Sequence, residues 1–136
     1  MEDNFYICSR ITEIDLSFTN ITELPINIFK DCDSLRRLNL ENNKLKQLPN
    51  LPDRPYALQD FVASFNPLKK LANNYFKNCI SLKSVYLNDT NLENAPSFED
   101  SLCLTWLHLN ANPIHKFPEE YFAYLDHLDT IFINDT

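Results

Sequence analysis

The sequence predicts one α/β solenoid, with short parallel strands stacked along one face and irregular or short helical segments on the other. Three observations carry this. An apolar residue opens a new unit at Ile11, Leu35, Leu58, Leu82, Leu104 and Leu128, at intervals of 24, 23, 24, 22 and 24 residues. Two more apolar positions follow each mark in step: Ile14 and Leu16, Leu38 and Leu40, Phe61 and Ala63, Val85 and Leu87, Leu107 and Leu109, Ile131 and Ile133. Asn or Thr then stands at the ninth position: Thr19, Asn43, Asn66, Thr90, Asn112 and Thr136. A fixed period of this length signals a repeat architecture.

Each part of the unit has a physical reason. Alternation at positions 4 and 6 predicts a short strand with one buried face. One unit cannot bury its apolar edge, but stacked units bury one another's, so stability accrues interface by interface. A hydrophobic fraction of 44% suffices for a long, thin core. An apolar residue closes each motif at Ile21, Leu45, Leu68, Leu92 and Ile114. The ninth side chain turns inward where the strand ends and must pair with backbone groups of the turn. Asn brings a donor and an acceptor to that task; the single hydroxyl of Thr does it less completely.

The stretch Leu35-Arg36-Arg37-Leu38-Asn39-Leu40-Glu41-Asn42-Asn43-Lys44-Leu45 fits Leu-x-x-Leu-x-Leu-x-x-Asn-x-Leu. Leu24-Pro25, Leu48-Pro49, Ala95-Pro96 and Phe117-Pro118 follow the closing residues, and Phe29, Phe76, Phe98 and Phe122 each precede the next mark by six. Together these resemble the long "typical" class of leucine-rich repeat, Leu-Pro-x-x-x-Phe-x-x-Leu-x-x-Leu, over nearly the whole chain. The resemblance implies a right-handed horseshoe with strands on its concave face and a spine of stacked Phe rings inside its convex side. It also implies a recognition scaffold. The expected division is a single domain, 1–136, with a partial repeat 1–10, repeats 11–34, 35–57, 58–81, 82–103 and 104–127, and a partial repeat 128–136. One stretch departs. Leu48-Pro49-Asn50-Leu51-Pro52 is similar to the shorter repeats of bacterial effectors. Pro52 and Pro55 cannot donate backbone hydrogen bonds, so an extended convex loop is expected there.

Phe5 and Cys8 stand before Ile11 as Phe29 and Cys32 stand before Leu35, so the chain opens inside a repeat. Solenoids normally end in polar caps. Asp3, Asn4 and Tyr6 soften the first end, whereas the last strand, Leu128 to Ile133, is expected to offer a bare edge for another chain. Met1-Glu2-Asp3-Asn4 does not resemble a signal peptide, and no apolar run has membrane-spanning length. Cys8, Cys32 and Cys79 share one internal position and read as small packed hydrophobes. Cys8 and Cys32 lie in adjacent copies, which leaves a bridge between them open. Asn20-Ile21-Thr22, Asn88-Asp89-Thr90 and Asn134-Asp135-Thr136 fit the glycosylation sequon. The expected compartment is the cytosol, including a host cytosol if the chain is a secreted effector.

A formal charge of -7 disfavours nucleic acid and anionic membranes as partners. Glycine is absent, which excludes a phosphate-cradling glycine loop and leaves Asn and Asp for turns with positive φ. His108, His115 and His127 share no metal-ligand spacing, and neither a metal nor a cofactor is expected. Cys103 precedes a strand and His115 lies beyond its far end, which argues against a Cys/His nucleophile with His108 or His115. The chain is expected not to be an enzyme.

Function is expected on the outward strand positions, since side chains alternate across a strand. Position 5 reads Asp15, Asn39, Val62, Tyr86, His108 and Phe132; position 3 reads Glu13, Arg37, Asp60, Ser84, Trp106 and Thr130. Interface hot spots favour Trp, Tyr and Arg. Tyr86, Trp106, His108 and Phe132 are the candidate partner-binding residues, with Arg37, Asp60 and Val62 extending the face. Lys83, Asp89, Asp129 and Asp135 rim it, and Arg36 with Arg37 is expected to add a clamp for an acidic group. The competing reading is that the aromatics only stabilise cross-strand pairs. Phe18 and Phe65, at position 8, read as packing residues of the turn. The expected function is binding of a protein or peptide partner. The alternatives are assembly through the last strand, or recruitment of substrates to a ligase or phosphatase.

Overall fold

The computed structural model describes residues 8–134. The expectations for Asp3, Asn4, Phe5, Tyr6, Asp135 and Thr136 lie outside the described residues.

Among the described residues six three-residue strands form one parallel sheet in chain order. They are β1 (Glu13–Asp15), β2 (Arg37–Asn39), β3 (Asp60–Val62), β4 (Ser84–Tyr86), β5 (Trp106–His108) and β6 (Thr130–Phe132). The register joins like to like, so Glu13, Arg37, Asp60, Ser84, Trp106 and Thr130 form one row across the sheet. The middle residue of each strand points inward. Leu38, Phe61, Val85 and Leu107 are fully buried, while Ile14 and Ile131, with a neighbouring strand on one side only among the described residues, are half-buried. The result is a parallel β-solenoid of about five turns.

The ninth-position asparagines do what their chemistry requires. Asn112 Oδ1 accepts from the Thr90 and Leu92 N–H groups and the Thr90 hydroxyl. Its Nδ2 donates to the Leu87, Leu109 and Asn110 carbonyls. Asn43 repeats the pattern against Thr19, Ile21, Leu16, Leu40 and Glu41. Asn66 accepts from Leu45 and donates to Leu40, Ala63 and Ser64. The threonines are simpler: Thr19 and Thr90 donate back to the Leu16 and Leu87 carbonyls.

The sides away from the sheet hold several differences from expectation. Helix is scarce. Among the described residues it comprises a 3-10 turn at Pro55–Ala57 and Cys8 at the edge of the described chain. Helix was disfavoured at Pro55, yet this turn begins on it, because a first helical residue needs no free N–H. The Phe spine is shorter than expected. Phe29, Phe76 and Phe98 are buried, and the rings of Phe76 and Phe98 stack 5.0 Å apart. Buried Pro52 takes the place of a ring between Phe29 and Phe76. Phe122 is exposed, because no further turn among the described residues covers it. Two tyrosines fasten neighbouring turns: Tyr75 and Tyr121 donate to the Pro49 and Pro96 carbonyls at 2.7 and 2.8 Å.

Cys8 and Cys32 are bridged, with Cα atoms 4.7 Å apart, so the packed-thiol reading fails for this pair. Cys79 does behave as a small hydrophobe. It is fully buried, and burial, with Asp100 adding to it, pushes its thiol up to about 12.

Candidate functional site

Parallel register places three rings in one row on the outer face of the sheet. Tyr86, His108 and Phe132 sit at position 5 of β4, β5 and β6. The Tyr86 and His108 rings stack at 4.4 Å and 27°, and His108 meets Phe132 at 4.5 Å and 34°. Neighbouring strands lie about 4.8 Å apart, so planar side chains in register stack almost of necessity. Burial between two rings lowers the His108 pKa below its ordinary value and favours the neutral imidazole.

The other candidates fall around this row. Trp106 lies two residues from His108 on the same face, about 7 Å along the strand. It is 43% exposed and makes no ring contact with the stack. Val62 is next in the row beside Tyr86 and continues the apolar strip. Asp60 accepts a short hydrogen bond from the Ser84 hydroxyl. Arg37 lies three strands from Trp106, roughly 14 Å away. It faces Glu13 at 3.7 Å, with both side chains mostly exposed. The structure thus gathers Val62, Tyr86, His108, Phe132 and Trp106, holds Asp60 at their margin through Ser84, and leaves Arg37 apart in a polar half.

Sequence reasoning missed how the edge of this face is held. The position 7 N–H groups of Asn88, Asn110 and Asn134 bond to the side chains of Ser64, Asn88 and Asn110, each one turn earlier. The recurrence of Ser or Asn at that position was the available signal. In the first two turns the same N–H is served locally, by Asp15 for Ser17 and by Asn39 for Glu41. The Ser17 hydroxyl also donates to Asp15, and this pair of bonds lowers the Asp15 pKa.

Position 8 was also misread. Phe18, Asn42, Phe65, Asp89 and Ala111 all have φ between 50° and 60°. The backbone geometry, set by the solenoid turn, demands the left-handed region there. Asn and Asp suit it; Phe18 and Phe65 occupy it too, with rings exposed rather than packed.

Cys103 shares a shallow depression with His127, Asp126 and Asp129, not with His108 or His115. No hydrogen bond joins Cys103 to His127 among the described residues. Also among the described residues, no three His, Cys, Asp or Glu side chains group to hold a metal, and no helix is long and apolar enough to cross a membrane.

Comparison with known proteins accords with this geometry. Residues 9–54 match a leucine rich repeat model, and residues 56–136 match the BspA type leucine rich repeat region. A chain of the Drosophila Toll–Spatzle complex is 26% identical over 85% of this chain and 16% of its own length, with a TM-score of 0.68. The leucine-rich repeat domain of APL1B is 20% identical over 98% of this chain and 41% of its own, with a TM-score of 0.79. An internalin of Listeria monocytogenes is 14% identical over 93% of this chain and 42% of its own, with a TM-score of 0.58. This chain therefore spans less than half the length of each. A search of curated proteins gave no match. With both family models on successive stretches and the repeat register visible in the sheet, the chain belongs to the leucine-rich repeat proteins.

Proposed function

We propose that this chain is a non-catalytic binding module that holds a protein or peptide partner on the outer face of its sheet. The row of Tyr86, His108 and Phe132, with Trp106 beside it, carries the reading. Proteins of this family are generally binding modules, and one matched structure is a complex of Toll with Spatzle. The three rings already rest against one another, which lowers the cost of ordering them for a partner. The Tyr86 hydroxyl and Trp106 indole N–H have no protein partner among the described residues and are left to a ligand. A horseshoe curvature would make this face concave and enlarge the contact.

The test is a pull-down with mass spectrometry, followed by titration of the captured partner. Wild type is compared with a Tyr86→Ala, Trp106→Ala, Phe132→Ala variant whose circular dichroism is unchanged. Affinity is expected to fall at least about thirtyfold, the scale of one hot spot. Equal affinity for both proteins would remove this face from the function.

Assembly is a second reading, and one observation favours it. Among the described residues β6 pairs with β5 alone, and Phe122 and Tyr124 are exposed on the last described segment away from the sheet. A dimer that dissociates on Ile133→Asp supports it; a monomer at high concentration ends it.

The Cys8–Cys32 bridge supports an oxidising compartment for the folded chain rather than the cytosol. An exported effector falls within that reading. Non-reducing peptide mapping of protein from its own source decides it: two free thiols there restore the cytosol.

A further inference from the structure

We propose that the turn edge of the first three repeats is a second docking surface, built for an acidic peptide segment with apolar anchors. It lies where the strands end, away from the aromatic row on β4 to β6.

The starting point is a cost without a return. All five described position 8 residues adopt positive φ, so the fold demands the left-handed region there. A residue with a Cβ loses about 1–2 kcal/mol in that region, and Asn or Asp loses least. Asn42 and Asp89 follow that economy, whereas Ala111, Phe18 and Phe65 do not, and only the last two, at φ 55° and 60°, carry a large apolar side chain there. Nor does burial offset the strain, since Phe18 is 69% and Phe65 46% exposed. Folding thus gives no account of these two rings. Strain of this kind concentrates where side chains serve ligands.

The surroundings name the ligand. Phe18 and Phe65 are two turns apart, roughly 10 Å, with the shorter Asn42 between them. Phe18, Asn20, Asn42, Asn43 and Lys44 line a shallow depression. Lys44, Lys46, Lys69 and Lys70 follow in the second and third turns, all exposed. They are half of the chain's eight lysines. None of them forms an ion pair among the described residues. Glu23 and Glu41 share this edge, so its four lysines stand against two carboxylates, and in the fourth turn Asp89 and Glu93 reverse the sign and bound the patch. A chain of net charge -7 repels an acidic partner over most of its surface and admits it here. Two exposed rings separated by a polar gap suit an extended segment whose apolar side chains contact Phe18 and Phe65 while its carboxylates meet the lysines.

A phage-displayed library of random dodecapeptides, selected on the full chain, tests this. Enriched peptides are expected to combine Asp or Glu with a large apolar residue. Their affinity should fall at least about tenfold in a Phe18→Asn, Phe65→Asn variant and in a Lys44→Glu, Lys69→Glu variant. It should hold in a Tyr86→Ala, Trp106→Ala variant, which separates this surface from the aromatic row. Thermal unfolding supplies the second readout. Asn relieves the left-handed strain, so Phe18→Asn, Phe65→Asn should keep or raise the melting temperature while losing the peptide. A lowered melting temperature would make the rings packing residues and overturn the proposal. So would a failure to enrich, peptides without acidic residues, or binding that responds to Tyr86 and Trp106 alone.

Discussion

Along β1 and β2 the position 5 side chains turn back on their own backbone, and along β4 to β6 they do not. At position 5, Asp15 and Asn39 accept the N–H two residues on, closing their own turns. At position 3, Glu13 faces Arg37, and Asp60 accepts from Ser84. Tyr86, His108 and Phe132 cannot close a turn this way, because an aromatic ring at position 5 offers that N–H no oxygen. The same N–H groups are served instead by Ser64, Asn88 and Asn110 from the preceding turn. The comparison shows how a repeat releases surface for binding: the structural duty moves from position 5 to position 7, and position 5 becomes free to carry rings.

The two halves differ on their faces and share one inner frame. The largest effect then comes from the frame. Asn112→Ala leaves the Thr90 and Leu92 N–H groups buried without their acceptor, at about 1–3 kcal/mol each. A loss of about 4 kcal/mol is expected from denaturant unfolding. Asn43→Ala, under the polar half, should cost a similar amount, since its bonds repeat those of Asn112. A cost below about 1 kcal/mol at either site would mean that water replaces the amide and the frame is not shared.

A smaller effect reads the transfer of duty itself. Asn88→Ala removes the acceptor of the Asn110 N–H and nothing else that the described bonds record. About 1 kcal/mol of stability should go, and amide exchange at Asn110 should speed up. In the polar half Asn39→Ala removes the acceptor for Glu41 within the same turn. Exchange should quicken there at Glu41 and leave the adjoining turns unchanged. Acceleration that spreads equally in both variants would erase the distinction between local and inter-turn service.

Much of the frame was legible because it depends on periodicity alone. The strand positions, the buried Leu rows and the inward Asn43, Asn66 and Asn112 follow from spacing and residue chemistry. What escaped depends on neighbours that spacing does not name. The exposure of Phe122 needs the knowledge that no described turn covers it, and the short spine reflects a buried Pro52 in the row. The Pro55 turn and the left-handed Phe18 and Phe65 are backbone matters, in which the fold overrides residue preference. The Cys8–Cys32 bridge had the right register in the sequence, but register alone places two cysteines in adjacent turns without deciding whether they pack as thiols or bond. The aromatic row was legible as a set of residues. Its stacking was not, since ring orientation is set by packing.

The finest test of the comparison is pH, because on the outer face each half holds a shifted group of opposite kind at position 5. His108 has a pKa below its ordinary value of 6.5 through burial between rings. Above 6.5 both folded and unfolded chains carry it neutral, and its stacking is fully present. As pH falls below 6.5 the unfolded chain takes up the proton first, so stability declines until the folded imidazole also protonates. Asp15 has a pKa below its ordinary 3.8, chiefly because the Ser17 hydroxyl and N–H donate to its carboxylate. Its contribution is present above 3.8 and is lost as pH falls past that value toward the folded pKa. Amide exchange followed turn by turn should therefore loosen β4 to β6 in mildly acidic buffer while β1 and β2 hold, and loosen β1 only in stronger acid. His108→Phe keeps the stack and removes the proton, so it should abolish the first phase and leave the second in place. Partner affinity at the aromatic row should follow the first phase, falling as the charged imidazole is forced between Tyr86 and Phe132. A single transition shared by all six strands, or a first phase that survives His108→Phe, would show that the halves do not titrate apart.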